Sequence, residues 1–370
     1  LMSDLGLSAA AAVGANSGPK PLSPAPPNSV AATGLPENFL ANLLLKQAFY
    51  LEVFTLPDLT SRLKLTSAIV LQLLEYLRRE KYVDIKAPGT LNGTATAISQ
   101  SYRYGLTEGG KRWAAQLLDY DSYVGPAPVT LQDYWRQVEA QSIQKVHLTR
   151  QHLKQGFQGL VIRPDLIQQL GPALISSRPI FIYGPPGNGK TAVALRLGEL
   201  FTDSILVPYA IYVEGNVIRV FDEVTHRPVA TEGGSLLKTD LRWVRCRRPT
   251  VLVGGEMTLE MLELSFNPIL KYYEAPLQLK ANNGIFIVDD FGRQRLSPQE
   301  LLNRWIIPME NRRDFLTLHT GYKFAIPFDQ ILIFSTNLEP GSLVDDAFLR
   351  RLRHKIKFDY VDPEQFQEIF

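Results

Sequence analysis

The chain has 370 residues, enough for two or three domains. Its 39 basic and 37 acidic residues leave a formal net charge of +2, so the overall charge indicates no nucleic-acid or membrane partner. The single cysteine, Cys246, excludes an internal disulfide framework, and the five histidines do not cluster at metal-ligand spacing. No apolar run approaches the roughly 18 residues of a membrane span, and the first residues carry no secretory signal. We therefore expect a cytoplasmic protein without a membrane span.

Residues 1–35 are rich in alanine, proline, serine and glycine. A segment of this composition buries too little apolar surface to offset its ordering entropy, which predicts a disordered arm. Order is expected to begin near Leu35, where apolar residues at helical spacing first appear.

Residues 36–120 are predicted to form a small α+β domain. Apolar spacing and capping sequences predict three helices, then two strands separated by a loop rich in glycine, threonine and asparagine, then a further helix. This order resembles a winged helix. Such a domain usually binds DNA, but ten Lys/Arg face eight Asp/Glu here, without a basic cluster on the third helix. DNA binding and protein docking both remain open, and docking or a structural role is favoured.

Residues 121–154 are predicted to be a linker, because breaker residues cluster at 124–128 and the following helix, near 131–142, has mixed polarity. A larger α/β domain is expected to follow.

A phosphate-binding loop opens this larger domain. The apolar residues 179–183 are typical of a buried parallel strand, and an apolar helix begins near Ala192. Between them stands the G-x-x-x-x-G-K-T sequence Gly184-Pro185-Pro186-Gly187-Asn188-Gly189-Lys190-Thr191. Its glycines let backbone N–H groups approach phosphate oxygens, and the helix N-terminus adds partial positive charge. We expect Lys190 to contact the β- and γ-phosphates and the Thr191 hydroxyl to ligate Mg²⁺.

Three patterns follow the loop. Residues 209–221 are predicted to form a hairpin that turns at Gly215-Asn216. The basic run at 241–248 could face nucleic acid, a neighbouring phosphate or solvent, and solvent is favoured. Tyr272-Tyr273 fits an aromatic pore loop or a packed pair, and packing is favoured.

Two carboxylates end the next predicted strand, residues 284–288. Because ligands bind at the carboxyl ends of parallel strands, Asp289 is expected to hold the Mg²⁺ shell and Asp290 to polarise the attacking water. A strand followed by a solvated turn is the alternative interpretation.

The remaining elements are a capped helix from Ser297, which Pro308 is expected to kink or end, and a hairpin over residues 315–326. The apolar strand 331–336 leads to Asn337, whose amide can hold the γ-phosphate or the water. The helix over residues 342–353 carries Arg350 and Arg351. They are expected to reach a neighbouring subunit's nucleotide, although a solvated basic helix end is an alternative.

Together, the phosphate loop, the aspartate pair, Asn337 and Arg350-Arg351 resemble the AAA+ ATPases over residues 155–362. The resemblance implies ATP and Mg²⁺ as cofactors, hydrolysis at the interfaces of a homo-oligomeric ring, usually a hexamer, and work on a macromolecule. It also implies that the segment around Gly159 lies beside the adenine and that Ala192 joins the nucleotide site. The hairpin at 315–326 is similar to the MoxR-like and magnesium-chelatase-like branch.

The expected architecture is therefore a P-loop parallel sheet flanked by helices, preceded by a winged-helix-like α+β domain. Our leading hypothesis is a ring-forming ATPase that remodels a protein client docked through residues 36–120. The alternatives are a DNA-binding ATPase and a nucleotide-dependent switch or scaffold.

Two departures from the family pattern bear on these expectations. Asp290 stands where the family usually has the longer glutamate, which implies slow hydrolysis and motivates the scaffold alternative. The sequence stops where a helical lid normally begins, so residues 363–370 are expected to be the start of a truncated lid.

Overall fold

The computed structural model describes residues 23–87, 102–160, 162–230, 239–343, 349–350 and 352–360. Its α-helices are α1 Glu37–Phe49, α2 Leu56–Leu63, α3 Ser67–Arg79, α4 Glu108–Tyr120, α5 Leu131–Ala140, α6 Arg150–Gly156, α7 Pro164–Ile175, α8 Lys190–Glu199, α9 Leu277–Lys280, α10 Pro298–Asn311 and α11 Pro340–Leu343. Its strands are β1 Val83–Ala87, β2 Arg103–Leu106, β3 Val129–Thr130, β4 Ile180–Tyr183, β5 Ser204–Pro208, β6 Ala210–Val213, β7 Asn216–Arg219, β8 Trp243–Arg247, β9 Thr250–Val253, β10 Ser265–Phe266, β11 Tyr273–Glu274, β12 Ile285–Val288, β13 Arg313–Thr317, β14 Lys323–Pro327, β15 Ile331–Thr336 and β16 His354–Lys357. None of the helices in these ranges is long and apolar enough to cross a membrane.

A five-stranded parallel sheet in the order β16–β4–β15–β12–β9 forms the centre of the larger domain. Successive residues of each strand face opposite sides, so Ile285 and Ile287 pack towards α7 and α8, while Phe286 packs against Trp305 of α10. All four residues of β12 are buried, as expected for a strand covered on both faces. The predicted P-loop parallel sheet flanked by helices is confirmed.

A second β-rich unit is formed by the strands between α8 and β9 together with strands from distant parts of the chain. Its five-stranded sheet has the order β10–β11–β7–β6–β3, and the β5–β8 and β13–β14 pairs pack with it. We call this the central β unit. Buried Val129, Ile211 and Leu316 come from three separate parts of the chain and share its core. The sequence predicted two of its hairpins but not the unit.

The first unit, from α1 to α4, has the predicted order of three helices, two strands and a helix. Leu44, Leu73 and Leu74 are fully buried between the helices, and a capping box joins Thr55 and Asp58 at the start of α2. The loop predicted between β1 and β2 lies outside the described residues. The winged-helix assignment therefore stays a prediction.

The predicted arm is wrong for residues 23–35. Val30 and Leu35 are buried in the core of the first unit, and the Asp240 N–H donates to the Pro24 carbonyl at 2.9 Å. Ser23 also accepts a hydrogen bond from Arg245. The segment is ordered by contacts with two folded units rather than by its own composition. The part of the predicted arm before residue 23 lies outside the described residues.

The predicted linker over residues 121–154 is also wrong for its middle part. Strand β3 pairs with β6, and Tyr134 and Val138 of α5 are buried in the central β unit. The mixed polarity of α5 does not indicate exposure, because some of its polar side chains are buried. Gln137 of α5 and Gln141, just after the helix, are buried and hydrogen-bonded to each other.

Smaller differences concern turns and charges. The β6–β7 hairpin turns at Glu214-Gly215, where both residues have positive φ, rather than at Gly215-Asn216. Helix α10 continues through Pro308 to Asn311.

The basic run at 241–248 is not mainly solvated, because the side chains of Arg242 and Arg248 are each 4% exposed and pair with acids. The predicted packing of Tyr272-Tyr273 is confirmed by the burial of Tyr273.

Candidate nucleotide-binding site

The phosphate loop connects β4 to α8, and its glycines are required for two different reasons. Gly184 has φ 140°, and a side chain there would collide with the carbonyl oxygen of Phe358. Gly187 and Gly189 also have positive φ, yet a Cβ at either would meet nothing within 4 Å. The loop therefore borders open space at these two glycines, where phosphate oxygens can approach the backbone N–H groups.

Lys190 begins α8 and is buried beneath the loop. Its ammonium group donates to the carbonyl oxygens of Gly184 at 2.9 Å and Pro185 at 2.6 Å. Burial lowers the pKa of Lys190 below its ordinary value, while the nearby charges of Asp289 and Asp290 partly oppose that shift. The loop thus holds the Lys190 ammonium group, a positively charged hydrogen-bond donor, next to the open space at Gly187 and Gly189.

The Thr191 hydroxyl donates to Asp289 Oδ2 at 2.8 Å. This contact joins the start of α8 to the end of β12, and it brings together the two residues that the sequence predicted as metal ligands. Both groups offer oxygen atoms, which Mg²⁺ prefers, and Mg²⁺ is commonly held by one or two protein groups together with substrate phosphates. In the described part of the chain, no cluster of three or more His, Cys, Asp or Glu side chains would hold a metal by itself. The donor set fits Mg²⁺ that arrives with a phosphate ligand.

Asp290 is exposed beside Asp289 and has a left-handed backbone, with φ 49°. The Asn337 amide nitrogen donates to Asp290 Oδ1 at 3.2 Å. The ends of β12 and β15 are tied together nearby, because the Phe291 N–H donates to the Ser335 carbonyl at 2.7 Å. The structure therefore brings the predicted water-polarising carboxylate and the predicted amide into contact at one edge of the sheet.

A cleft that is partly open to solvent adjoins the phosphate loop. Leu160, Ile162, Leu166 and Val193 form its apolar lining, and Asn188 lies where the cleft meets the loop. The predicted Ala192 also lines it. Gly159 is adjacent to this lining in sequence and has φ 82°. Pro186 is exposed. The cleft has the apolar character that a nucleobase needs.

Two further contacts at this site were not expected from the sequence, and one of them is made by Gln294, which no sequence pattern singled out. The Asn188 side chain donates to the Phe358 carbonyl at 3.2 Å, which connects the loop to the end of β16. Gln294 donates to the Asp289 carbonyl and accepts from the Gly292 N–H. A single glutamine in a polar turn belongs to no sequence motif, so the position of Gln294 in this site is recognised only from its hydrogen bonds in the structure.

For the two predicted arginines, the structure describes Arg350 alone. Arg350 is exposed in the segment between α11 and β16, and Arg351 lies outside the described residues. Their role in a neighbouring subunit stays a prediction.

The parallel sheet, the glycine loop and the two polar strand ends define a P-loop α/β fold. No protein-family model matches the sequence, and no curated protein matches it significantly. Among solved structures, NtrX from Brucella abortus is 16% identical with a TM-score of 0.34, over 55% of this chain and 38% of NtrX. The complex of subunits BchI and BchD of magnesium chelatase, based on a cryo-EM reconstruction, is 17% identical with a TM-score of 0.38, over 55% of this chain and 60% of that one. The chain thus spans less than two thirds of either protein.

Proposed function

We propose that the chain binds ATP with Mg²⁺ and hydrolyses it. The observation that carries this proposal is the 2.8 Å contact between Thr191 and Asp289 beside a loop whose glycines border open space. A phosphate chain on the loop would meet backbone N–H groups, the start of α8 and the Lys190 ammonium group. Its base would enter the apolar cleft beside Asn188.

Each polar group of the site then has a distinct role. Thr191 and Asp289 would hold the cation, which supplies charge neutralisation on the phosphates when bound. Asp290 would accept a proton from the attacking water, and Asn337 would orient that carboxylate through their hydrogen bond. Catalysis would come from positioning and electrostatics, as is general for phosphoryl transfer.

The sharpest test compares Lys190→Ala with Gln299→Ala by isothermal calorimetry of ATP with Mg²⁺. Lys190 is buried below the loop, so loss of its charged donor should weaken ATP binding roughly 10- to 100-fold. Gln299 is exposed on α10 and contacts Asn303, so its removal should leave binding unchanged. Absence of ATP binding to the unaltered chain would refute the proposal.

We further propose that this ATPase forms a ring, with the hexamer as the expected size, and that the first unit docks a protein partner. The exposed guanidinium of Arg350 supports the ring, because a cation at the surface can serve a neighbour's nucleotide. Sedimentation with and without ATP, using Arg350→Ala as the variant, tests it. An ATP-independent monomer would refute it.

Protein docking is favoured over DNA binding by the outer face of α3. This face exposes Gln72, Glu75, Arg78 and Arg79, and Gln72 donates to Glu37. An acidic residue in the middle of the face opposes phosphate contact. A DNA affinity that falls steeply with salt would overturn this choice.

A further inference from the structure

The turn after β12 carries both aspartates and is braced by the half-buried side chain of Gln294. The Gly292 N–H donates to the Gln294 amide oxygen at 2.8 Å. The Gln294 amide nitrogen donates to the Asp289 carbonyl at 2.7 Å. One primary amide therefore satisfies a donor and an acceptor on the two sides of Asp290.

The neighbouring backbone is anchored at four other points. One of them is the Arg293 N–H, which donates to the Asp290 carbonyl at 2.9 Å. The Asp289 N–H donates to Val253 of β9 at 2.8 Å, and the Phe291 N–H donates to Ser335 of β15 at 2.7 Å. The Phe291 carbonyl also accepts from the Thr336 hydroxyl at 2.7 Å. The peptide between the aspartates can still rotate unless its carbonyl is held, and the Gln294 amide holds it.

The direction of the Asp290 carboxylate depends on this peptide. Asp290 has φ 49°, a left-handed conformation that is unfavourable for a non-glycine residue and persists only when its surroundings enforce it. In this conformation its Oδ1 lies 3.2 Å from the Asn337 amide nitrogen. Rotation of the preceding peptide would move the carboxylate away from that partner.

We propose that Gln294 is a positioning residue for hydrolysis, acting through Asp290 and not through contact with the nucleotide. The inference rests on the proposed ATPase function. An amide is specifically required, since a glutamate would keep the bond from Gly292 but place a carboxylate oxygen against the Asp289 carbonyl. A leucine of similar size would lose both bonds.

The test measures steady-state hydrolysis and calorimetric ATP affinity for Gln294→Leu and Gln294→Glu in the full chain, with Gln299→Ala as the control. Both variants should lose about tenfold in kcat, because Gln294→Leu removes both hydrogen bonds and Gln294→Glu replaces the bond to the Asp289 carbonyl with a repulsive contact. The Kd for ATP with Mg²⁺ and the melting temperature should stay within twofold and a few degrees of the unaltered values. A parallel loss of ATP affinity or of folding in both variants would mean a structural role and would overturn the proposal.

A double-substitution cycle separates action through Asp290 from an independent effect. If Gln294 works by keeping Asp290 against Asn337, then Gln294→Leu should cost nothing further in an Asn337→Ala background. Additive losses, or an unchanged kcat in the single variants, would overturn the inference while leaving the ATPase proposal intact. ATP binding without any hydrolysis by the unaltered chain would instead refute both.

Discussion

Replacing Asp290 with asparagine should stop turnover while leaving the site assembled. Asparagine tolerates the left-handed backbone that Asp290 adopts at φ 49°, and its amide oxygen can still accept from Asn337. Asp290 is exposed, so the change removes no buried contact and should alter the free energy of unfolding by less than about 0.5 kcal/mol. What is lost is the proton-accepting carboxylate.

A positioned general base is worth roughly 10²- to 10⁴-fold in rate, or about 3–5 kcal/mol in the activation free energy. Phosphate release at saturating ATP should therefore fall by that factor in Asp290→Asn. The calorimetric Kd for ATP with Mg²⁺ should change less than twofold, because Lys190, Thr191 and Asp289 remain. Hydrolysis within threefold of the unaltered chain would refute the role of Asp290, whereas lost binding would show that it holds the cation.

Two further predictions concern stability. Arg248→Met should lower the free energy of unfolding by about 3 kcal/mol in urea titrations, because it strips the buried carbonyls of Gln141 and Asn283 of their donor and Asp203 of its partner. An unchanged midpoint would contradict this. Burial lowers the pKa of His226 to about 4, so the unfolded chain, with a histidine near 6.5, binds more protons between these values. Stability should thus be complete above pH 6.5 and fall by about 3 kcal/mol towards pH 4, and His226→Gln should flatten this slope; equal slopes would contradict it.

The parallel sheet and the phosphate site were predictable because their signals are local. Strands such as β12 are continuous apolar runs, and the residues that follow them must meet at one edge of the sheet. Thr191 and Asp289, 98 residues apart, were both expected to serve the same Mg²⁺ site, and their side chains lie in hydrogen-bond contact. The Asp290–Asn337 contact follows from the same rule.

The central β unit was not predictable from local pattern. Its sheet joins β3 to β6 and β7 to β11, and each of these pairs links segments separated by about 50 residues or more. Strands of two residues, such as β3 and β11, carry no alternation that could mark them in the sequence. Their position is decided by tertiary pairing, which periodicity does not report.

The buried arginine Arg242 shows why the amino-terminal segment was misjudged. Its guanidinium forms a salt bridge with Asp240 at 2.7 Å and donates to the Pro128 carbonyl at 3.1 Å, so it is fully paired inside the protein. The Asp240 N–H then donates to the Pro24 carbonyl. A proline-rich segment lacks the apolar surface to order itself, but its carbonyls remain acceptors, and a folded surface that presents donors can order it. Composition measures the first property alone, so it predicted disorder where hydrogen bonds to the central β unit and the burial of Val30 and Leu35 in the first unit impose structure.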